Sequence, residues 1–221
     1  MPETFRAIFD GPGDSSWNMA VDEALLTLAT GPVVRFYDWE SPDVTIGYFQ
    51  LTSVVPENRS FIRRYTGGGL VDHAQDITYT VVLPREHPIA QSGTAASYNT
   101  IHQAVATALQ SHGYAIEVAQ NCPDSDDPAC FQKPVKYDLL LEGKKCAGAA
   151  QRRNKIGCLH QGSIVLPQPF PKEDIKGSLC QEFSAMLRLQ PNPSRVTKEE
   201  SHLAKELNRT RYSTKDWNHA R

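Results

Sequence analysis

The sequence lacks long apolar runs, and none approaches the roughly 18 residues that a membrane-spanning helix needs. Residues 1–6 also lack the basic and then apolar pattern of a secretory signal. Neither sign of charge is in large excess, because 23 basic and 25 acidic residues leave a net charge of −2. The composition therefore predicts no membrane partner and gives no reason to expect nucleic acid as a ligand.

Cysteine is scarce and follows no ligand or disulfide pattern. The chain has 5 cysteines, an odd number, without CxxC pairs or the spacing of a disulfide framework. This usage predicts reduced thiols, a cytoplasmic location and no metal site. Cys146 and Cys158 fall in predicted strands, where thiols are usually small buried hydrophobes.

Strand-like and helix-like segments alternate without internal repeats. The pattern predicts strands over residues 5–9, 33–39, 44–49, 60–65, 76–83, 137–141, 146–150 and 157–166. It predicts helices over residues 17–26, with Ser15 and Ser16 as caps, and 95–112, with Gly113 as a stop. Residues 121–134 are typical of a surface loop, and residues 172–221 of a polar helical segment. We expect one α+β domain over residues 1–221.

Three consecutive glycines, Gly67, Gly68 and Gly69, follow the pair Arg63-Arg64. A glycine triplet alone is most often a tight turn. Glycine also lets a backbone approach a ligand closely, and arginine supplies a planar cation for a carboxylate, an acyl carbonyl or a phosphate. The pattern is neither a P-loop nor GxGxxG, so those nucleotide sites are excluded. We interpret the loop as a ligand-binding loop.

The whole chain resembles lipoate-protein ligase A and its octanoyltransferase relatives. The signature is Arg63-Arg64-x-Thr66-Gly67-Gly68-Gly69-x-Val71-x-His73, and residues 18–25, 35–40, 47–50, 145–152, 161–164 and 212–218 resemble further parts of the family in order. The resemblance implies the α+β catalytic domain of biotin and lipoate attachment enzymes, which is class II synthetase-like. That domain has a mixed β-sheet flanked by helices, and we expect no accessory C-terminal domain.

The resemblance also implies the site residues. Taken alone, Lys144 and Lys145 could be solvated charges at a hairpin turn, but in the family the residue matching Lys145 bonds the carbonyl oxygen of the acyl group. The segment Cys130-Phe131-x-x-Pro134-x-x-Tyr137-Asp138-Leu139 resembles cysteine/lysine octanoyltransferases, which makes Cys130 the expected nucleophile. The acyl pocket is assigned to Arg64, Thr66, Gly67, Gly68, Gly69, His73, Gly148 and Ala150. His73 and His160 remain open between a structural and a working role.

The activity implied is transfer of an octanoyl or lipoyl group to a lysine of lipoyl-domain proteins, through a Cys130 thioester and without a cofactor. The alternatives are a lipoate-protein ligase that uses ATP and Mg²⁺, and a non-catalytic acyl-binding protein. Expected donors are acyl carrier protein or the glycine-cleavage H protein, and expected acceptors are lipoyl domains of 2-oxoacid dehydrogenases or H protein. Such partners are often acidic, which would explain the basic clusters at residues 144–145 and 152–155. We expect a monomer.

Overall fold

A computed structural model describes residues 3–120 and 134–221. The strands are β1 (Thr4–Gly13), β2 (Val33–Trp39), β3 (Val44–Ile46), β4 (Phe61–Arg63), β5 (Val71–Asp72), β6 (Asp76–Pro84), β7 (Ile116–Val118), β8 (Leu139–Leu141), β9 (Lys144–Arg153), β10 (Gly157–Val165) and β11 (Gln190–Ser194). The helices are α1 (Ser15–Thr27), α2 (Pro88–Gln91), α3 (Thr94–Ser111), α4 (Lys172–Leu187), α5 (Lys198–Leu207) and α6 (Lys215–Asn218). Single turns of 3₁₀ and π helix occupy Thr52–Val54 and Asn208–Tyr212.

The described strands form one large mixed sheet and one small sheet. The large sheet has eight strands in the order β11-β1-β2-β6-β10-β9-β8-β7. β1 runs parallel to β2 and β11, and the other neighbours are antiparallel. In the small sheet β3 lies between β4 and β5. The α+β class with a mixed sheet is confirmed.

Alternation along the strands gives the large sheet two buried faces. Val34 and Phe36 of β2 pack with α3 and α4, whereas Val33 and Tyr37 of the same strand pack on α1 and α5. Successive strand residues point to opposite faces, so each face buries its own apolar set. Helices therefore flank the sheet on both sides, as predicted.

Two local predictions are corrected by the structure. The cap of α1 is Asp14, whose carboxylate accepts from the backbone N–H of Ser16 at 2.8 Å and of Trp17 at 3.3 Å. The predicted serine caps are thus wrong, because an aspartate one position earlier supplies the acceptor. The segment 172–221 is not wholly helical, since β11 interrupts it and pairs in parallel with β1. Residues 121–133 of the predicted loop lie outside the described residues.

None of the helices in residues 3–120 and 134–221 combines the length and the apolar character that a bilayer crossing requires.

A first prediction concerns the core between the sheet and α4. Phe183 is fully buried, and its ring stacks on Phe36 at 6.2 Å and lies 5.5 Å from the ring of Tyr79. We expect Phe183→Ala to lower the free energy of unfolding by about 3–5 kcal/mol, because it leaves a cavity in a packed layer. Urea unfolding measures this loss. The control is Phe49→Ala, at a ring that is 65% exposed; equal losses for the two variants would contradict the assignment of the core.

Candidate active site

The glycine loop follows β4 and packs between Gly47 and β9. Gly68 has a φ of 84°, in the left-handed region that favours glycine. A Cβ atom on Gly47 would lie 2.0 Å from the carbonyl oxygen of Gly68. A Cβ atom on Gly68 would lie 3.1 Å from the Cβ atom of Ala150. The close approach of these backbones explains why the loop and its neighbours are small residues.

The two arginines before the loop bind backbone oxygens of the protein itself. Arg63 donates to the carbonyl oxygens of Gln50 at 2.6 Å and Asn218 at 3.0 Å. Arg64 donates to the carbonyl oxygen of Gly69 at 2.6 Å. Burial lowers the pKa of the Arg64 guanidinium to about 10, so this side chain is still cationic at neutral pH. Arg63 therefore holds the loop in place, and Arg64 does so while also carrying a charge at the cavity described next.

A small cavity with an open mouth lies between the glycine loop and β6, β9 and β10. Among the residues that line it are these predicted site residues: Arg64, Gly68, Gly69, His73, Lys145, Gly148 and Ala150. Further lining residues that were not assigned to the pocket from the sequence are Met19, Tyr37, Trp39, Thr45, Val71, Thr78, Ala149, Gln161, Gly162 and Ser163. Thr66 and Gly67 do not line the cavity. The cavity thus brings together predicted pocket residues from the glycine loop and from β9, which are far apart along the chain.

The cavity wall at Gly162 is set by a neighbouring aromatic ring. Gly162 of β10 pairs with Tyr79 of β6. A Cβ atom on Gly162 would lie 2.1 Å from Cζ of the Tyr79 ring. The ring thus occupies the space that any larger residue at position 162 would need.

Lys145 lies in β9 and not in a turn, which Glu142 and Gly143 form instead. Its Nζ atom pairs with Oδ2 of Asp138 at 2.8 Å, and the side chains are 9% and 0% exposed. A Cβ atom on Gly148 would lie 2.7 Å from this Nζ atom. Lys145 therefore folds across Gly148, which explains the glycine three residues further along the strand, whereas Lys144 is the exposed charge.

A buried network ties the glycine loop to the centre of the protein. Thr66 donates to Oε1 of Gln161 at 2.7 Å, and Nε2 of Gln161 donates to Asp22 at 2.7 Å. The Asp22 carboxylate also accepts from Arg35 at 2.8 Å and from the hydroxyl of Tyr37 at 3.0 Å. Thr66, predicted as a pocket residue, is thus placed behind the loop, where it fixes its position.

His73 is a buried histidine with protein partners on both ring nitrogens. Nδ1 lies 2.8 Å from Oδ2 of Asp76, and Nε2 lies 2.9 Å from the hydroxyl of Thr45. The ring stacks on Trp39 with centroids 4.0 Å apart. These contacts favour a structural role, although the ring also borders the cavity.

His160 and His102 belong to an aromatic cluster next to the Lys145–Asp138 pair. Nε2 of His160 lies 3.3 Å from the hydroxyl of Tyr79, and His102 packs against the ring of Tyr98 at 4.2 Å. Burial lowers the pKa of His102 to about 4 and that of His160 well below its usual value. Both rings are therefore neutral at physiological pH, which favours a structural role for His160.

The basic cluster at residues 152–155 has local partners. Arg153 donates to the carbonyl oxygen of Gly93 at 3.0 Å, before the start of α3. Arg152 stacks its guanidinium over the Tyr65 ring at 4.4 Å. Arg153 is thus held by backbone near α3, and Arg152 lies beside the glycine loop.

Cys130, the predicted nucleophile, lies outside the described residues, as does Cys122. Cys146, Cys158 and Cys180 are buried free thiols, as predicted for the first two. Burial raises the pKa of all three and brings that of Cys146 to about 12. None of these three carries the lowered pKa of a reactive thiol. Within residues 3–120 and 134–221, no group of three or more His, Cys, Asp or Glu side chains is placed to hold a metal ion.

The fold is that of the lipoate-attachment enzymes. The structure of protein Ta0514 from T. acidophilum with bound lipoic acid superposes with a TM-score of 0.84, at 24% identity and over 100% of both chains. A lipoate-protein ligase A bound with ATP superposes with a TM-score of 0.83, at 24% identity and over 98% of both chains. These structures establish the architecture.

Sequence relatives identify the family. Residues 14–210 match the family described as the lipoyl protein ligase A/B catalytic domain. The octanoyltransferase LipM of Brevibacillus brevis is 33% identical over 98% of this chain and 99% of its own. LipM of Bacillus subtilis is 28% identical over 99% of each chain. The protein belongs to the lipoyl protein ligase A/B catalytic domain family, as the glycine-loop signature predicted.

A second prediction tests the packing of Lys145 on Gly148. We expect Gly148→Ala to lower turnover about 100-fold. A methyl group there would occupy the space of the Lys145 ammonium and would push it away from its present position. Stability should fall by only about 1–3 kcal/mol, because the displaced atoms are the flexible end of a side chain. Steady-state kinetics and urea unfolding measure the two effects.

The matched control is Gly11→Ala, at a glycine where a Cβ atom would meet nothing within 4 Å. It should keep its turnover within about twofold. Normal turnover of Gly148→Ala would show that the position of Lys145 is unimportant.

A third prediction follows from the neutral His102. Its folded-state pKa of about 4 lies below the usual 6.5, so its stabilising effect is complete above pH 6.5 and is lost as the pH falls from there toward 4. Between pH 7.5 and 5.0 the wild type should lose about 2 kcal/mol more unfolding free energy than His102→Asn, which has no imidazole to protonate. Urea unfolding at both pH values tests this, and parallel losses would refute a buried neutral ring.

Proposed function

We propose that the protein transfers an octanoyl group from a carrier-protein thioester to a lysine of a lipoyl domain, through an acyl-enzyme on Cys130. The observation that carries the proposal is the Lys145 ammonium in the wall of the cavity that the glycine loop also lines. The full-length similarity to octanoyltransferases supports the same reaction. Lipoyl transfer by the same steps is the related reaction.

The cavity offers a fitting environment for an acyl chain. Met19, Trp39 and Val71 supply apolar surface, and Lys145 and the backbone of Gly68 supply polar groups at its wall. An acyl carbonyl placed against the ammonium would be stabilised as negative charge develops on its oxygen. The apolar surface would hold the chain by excluding water from it.

The first half-reaction forms the acyl-enzyme. The Cys130 thiolate attacks the thioester carbonyl, and the oxygen takes up negative charge against Lys145. The carbon–sulfur bond to the carrier then breaks, and the carrier leaves as a thiolate that takes up the proton released when Cys130 ionised. The acyl group is now bound to Cys130 as a thioester, so its energy is conserved for the next step.

The second half-reaction forms the amide. The acceptor lysine attacks the acyl-enzyme as a neutral amine, because an ammonium has no free electron pair. The Cys130 thiolate leaves, and the proton of the amine is released. No cofactor beyond the transferred acyl group is needed, whereas the ligase alternative would use ATP and Mg²⁺ to activate a free acid.

The proposed partners are those that the family resemblance implies. The donor is an acyl carrier protein or the glycine-cleavage H protein, and the acceptor is a lipoyl domain of a 2-oxoacid dehydrogenase or H protein. We place the enzyme in the cytoplasm and expect a monomer, as in the sequence-based predictions.

A fourth prediction separates transfer from ligation. Incubated with octanoyl carrier protein alone, the wild type should gain the mass of one octanoyl group, and Cys130→Ser should gain none. With an apo lipoyl domain added, wild type should octanoylate the domain, and Cys130→Ser should be slower by at least about 1000-fold. Intact-protein mass spectrometry follows both products.

Cys146→Ser is the control, because its thiol is buried with a raised pKa and should be dispensable. Full activity of Cys130→Ser with octanoic acid, ATP and Mg²⁺ would establish the ligase instead. No acylated domain from either donor would indicate an acyl-binding protein.

A further inference from the structure

Asp138 is a buried carboxylate that the proposed reaction does not yet use. It lies directly before β8, has no exposed side-chain surface and pairs with the Nζ atom of Lys145 at 2.8 Å. An ion pair at this depth loses the hydration of both groups, which is a large cost before the pair is formed. A pair kept in such a place needs close geometry and further hydrogen bonds, and both are present here.

Two other donors orient the Asp138 carboxylate. The backbone N–H of Val135 donates to Oδ2 at 2.8 Å, and the hydroxyl of Tyr98 donates to Oδ1. The same Tyr98 oxygen accepts from the backbone N–H of Ala149 at 2.9 Å. Tyr98 therefore connects the carboxylate to β9 a second time, next to the Gly148 position over which Lys145 folds.

This arrangement restricts a side chain that is otherwise flexible. Lysine carries a compact charge on four methylene groups, and its ammonium has no preferred orientation of its own. The carboxylate of Asp138 pairs with the Nζ atom, and the missing side chain of Gly148 leaves room for the end of the Lys145 side chain, since a Cβ atom there would lie 2.7 Å from Nζ. The ammonium is thereby held at one point of the cavity wall before a ligand arrives, which lowers the cost of ordering it during reaction.

We propose that Asp138 is a positioning residue that holds the Lys145 ammonium toward the acyl carbonyl, with Tyr98 fixing the carboxylate. This inference rests on the proposed function for the acyl transfer step. The Asp138–Lys145 geometry would position the ammonium in the same way for a bound free acid. Asp138 acts only through Lys145 and does not itself touch the acyl group. A purely structural Asp138 would instead stabilise the fold and leave ligand affinity to Lys145 alone.

The test is a double-mutant cycle with octanoate as the probe. Binding of octanoate to the full chain is measured by calorimetry for wild type, Asp138→Asn, Lys145→Met and the double variant. We expect each single variant to bind about 10-fold more weakly, the loss of one hydrogen bond to a charged group. The double variant should bind no more weakly than Lys145→Met, because Asp138 has nothing left to position.

Turnover gives an independent readout. For Asp138→Asn we expect kcat to fall about 100-fold while KM for octanoyl carrier protein stays within about threefold. Asp138→Glu should recover part of the loss, because it restores the charge at a shifted position. The control is Glu200→Gln. It removes a buried carboxylate that pairs with Arg6, and Glu200 does not line the cavity. It should leave octanoate affinity and kcat within about twofold.

The outcomes separate this inference from the proposed function. Additive losses in the cycle, unchanged octanoate affinity in Asp138→Asn, or no octanoate binding by wild type would each overturn the positioning role. A cycle with the expected coupling in a wild type that transfers nothing from the thioester would overturn the proposed transfer and support the positioning role. If Asp138→Asn does not fold, Tyr98→Phe replaces it in the cycle, with an expected loss of about threefold coupled to Lys145 in the same way.

Discussion

The buried carboxylate of Asp22 is the interaction on which the arrangement of the cavity depends. It lies in α1 and accepts hydrogen bonds from Arg35 of β2 and Gln161 of β10, so one helix is fixed to two strands of the large sheet. Gln161 extends the connection to Thr66 in the glycine loop. Gln161 also pairs with Ala150 of β9, the strand that carries the central lysine. The glycine loop and the strand of the lysine are therefore both connected to Asp22 through Gln161. These hydrogen bonds are kept because a buried Asp22 carboxylate without partners would be costly.

Much of the fold could be predicted from local patterns. The boundaries of β2 coincide with the predicted residues 33–39, because β-branched and aromatic residues continue up to the turn around Pro42. β11 could not be predicted, since Pro191 and Pro193 are poor strand formers and the segment shows no apolar alternation. It forms because an edge strand needs backbone hydrogen bonds on one side only, and β1 supplies them. Such pairing is decided by tertiary contact.

For the site, the sequence was informative where glycine and lysine carry a family signature. The glycine loop and Lys145 do border one cavity. Tyr98 was not part of the resemblance, and Gln161 lay in a matching segment without an assigned role, because single polar residues within helices and strands have no periodic or compositional mark. Their roles depend on which strand lies beside which, and sequence spacing does not encode that. His73 illustrates the converse: its motif indicates function, while its partners in space indicate structure.

The contact between Gly162 and the Tyr79 ring also limits how this protein can change over generations. Position 162 alone has little freedom, because a side chain there would occupy the volume of the Tyr79 ring. A smaller residue at 79 would have to be inherited together with, or before, any enlargement at 162. Related sequences should accordingly vary at these two positions as a pair. The wall of the cavity at this point therefore changes in evolution through paired substitutions.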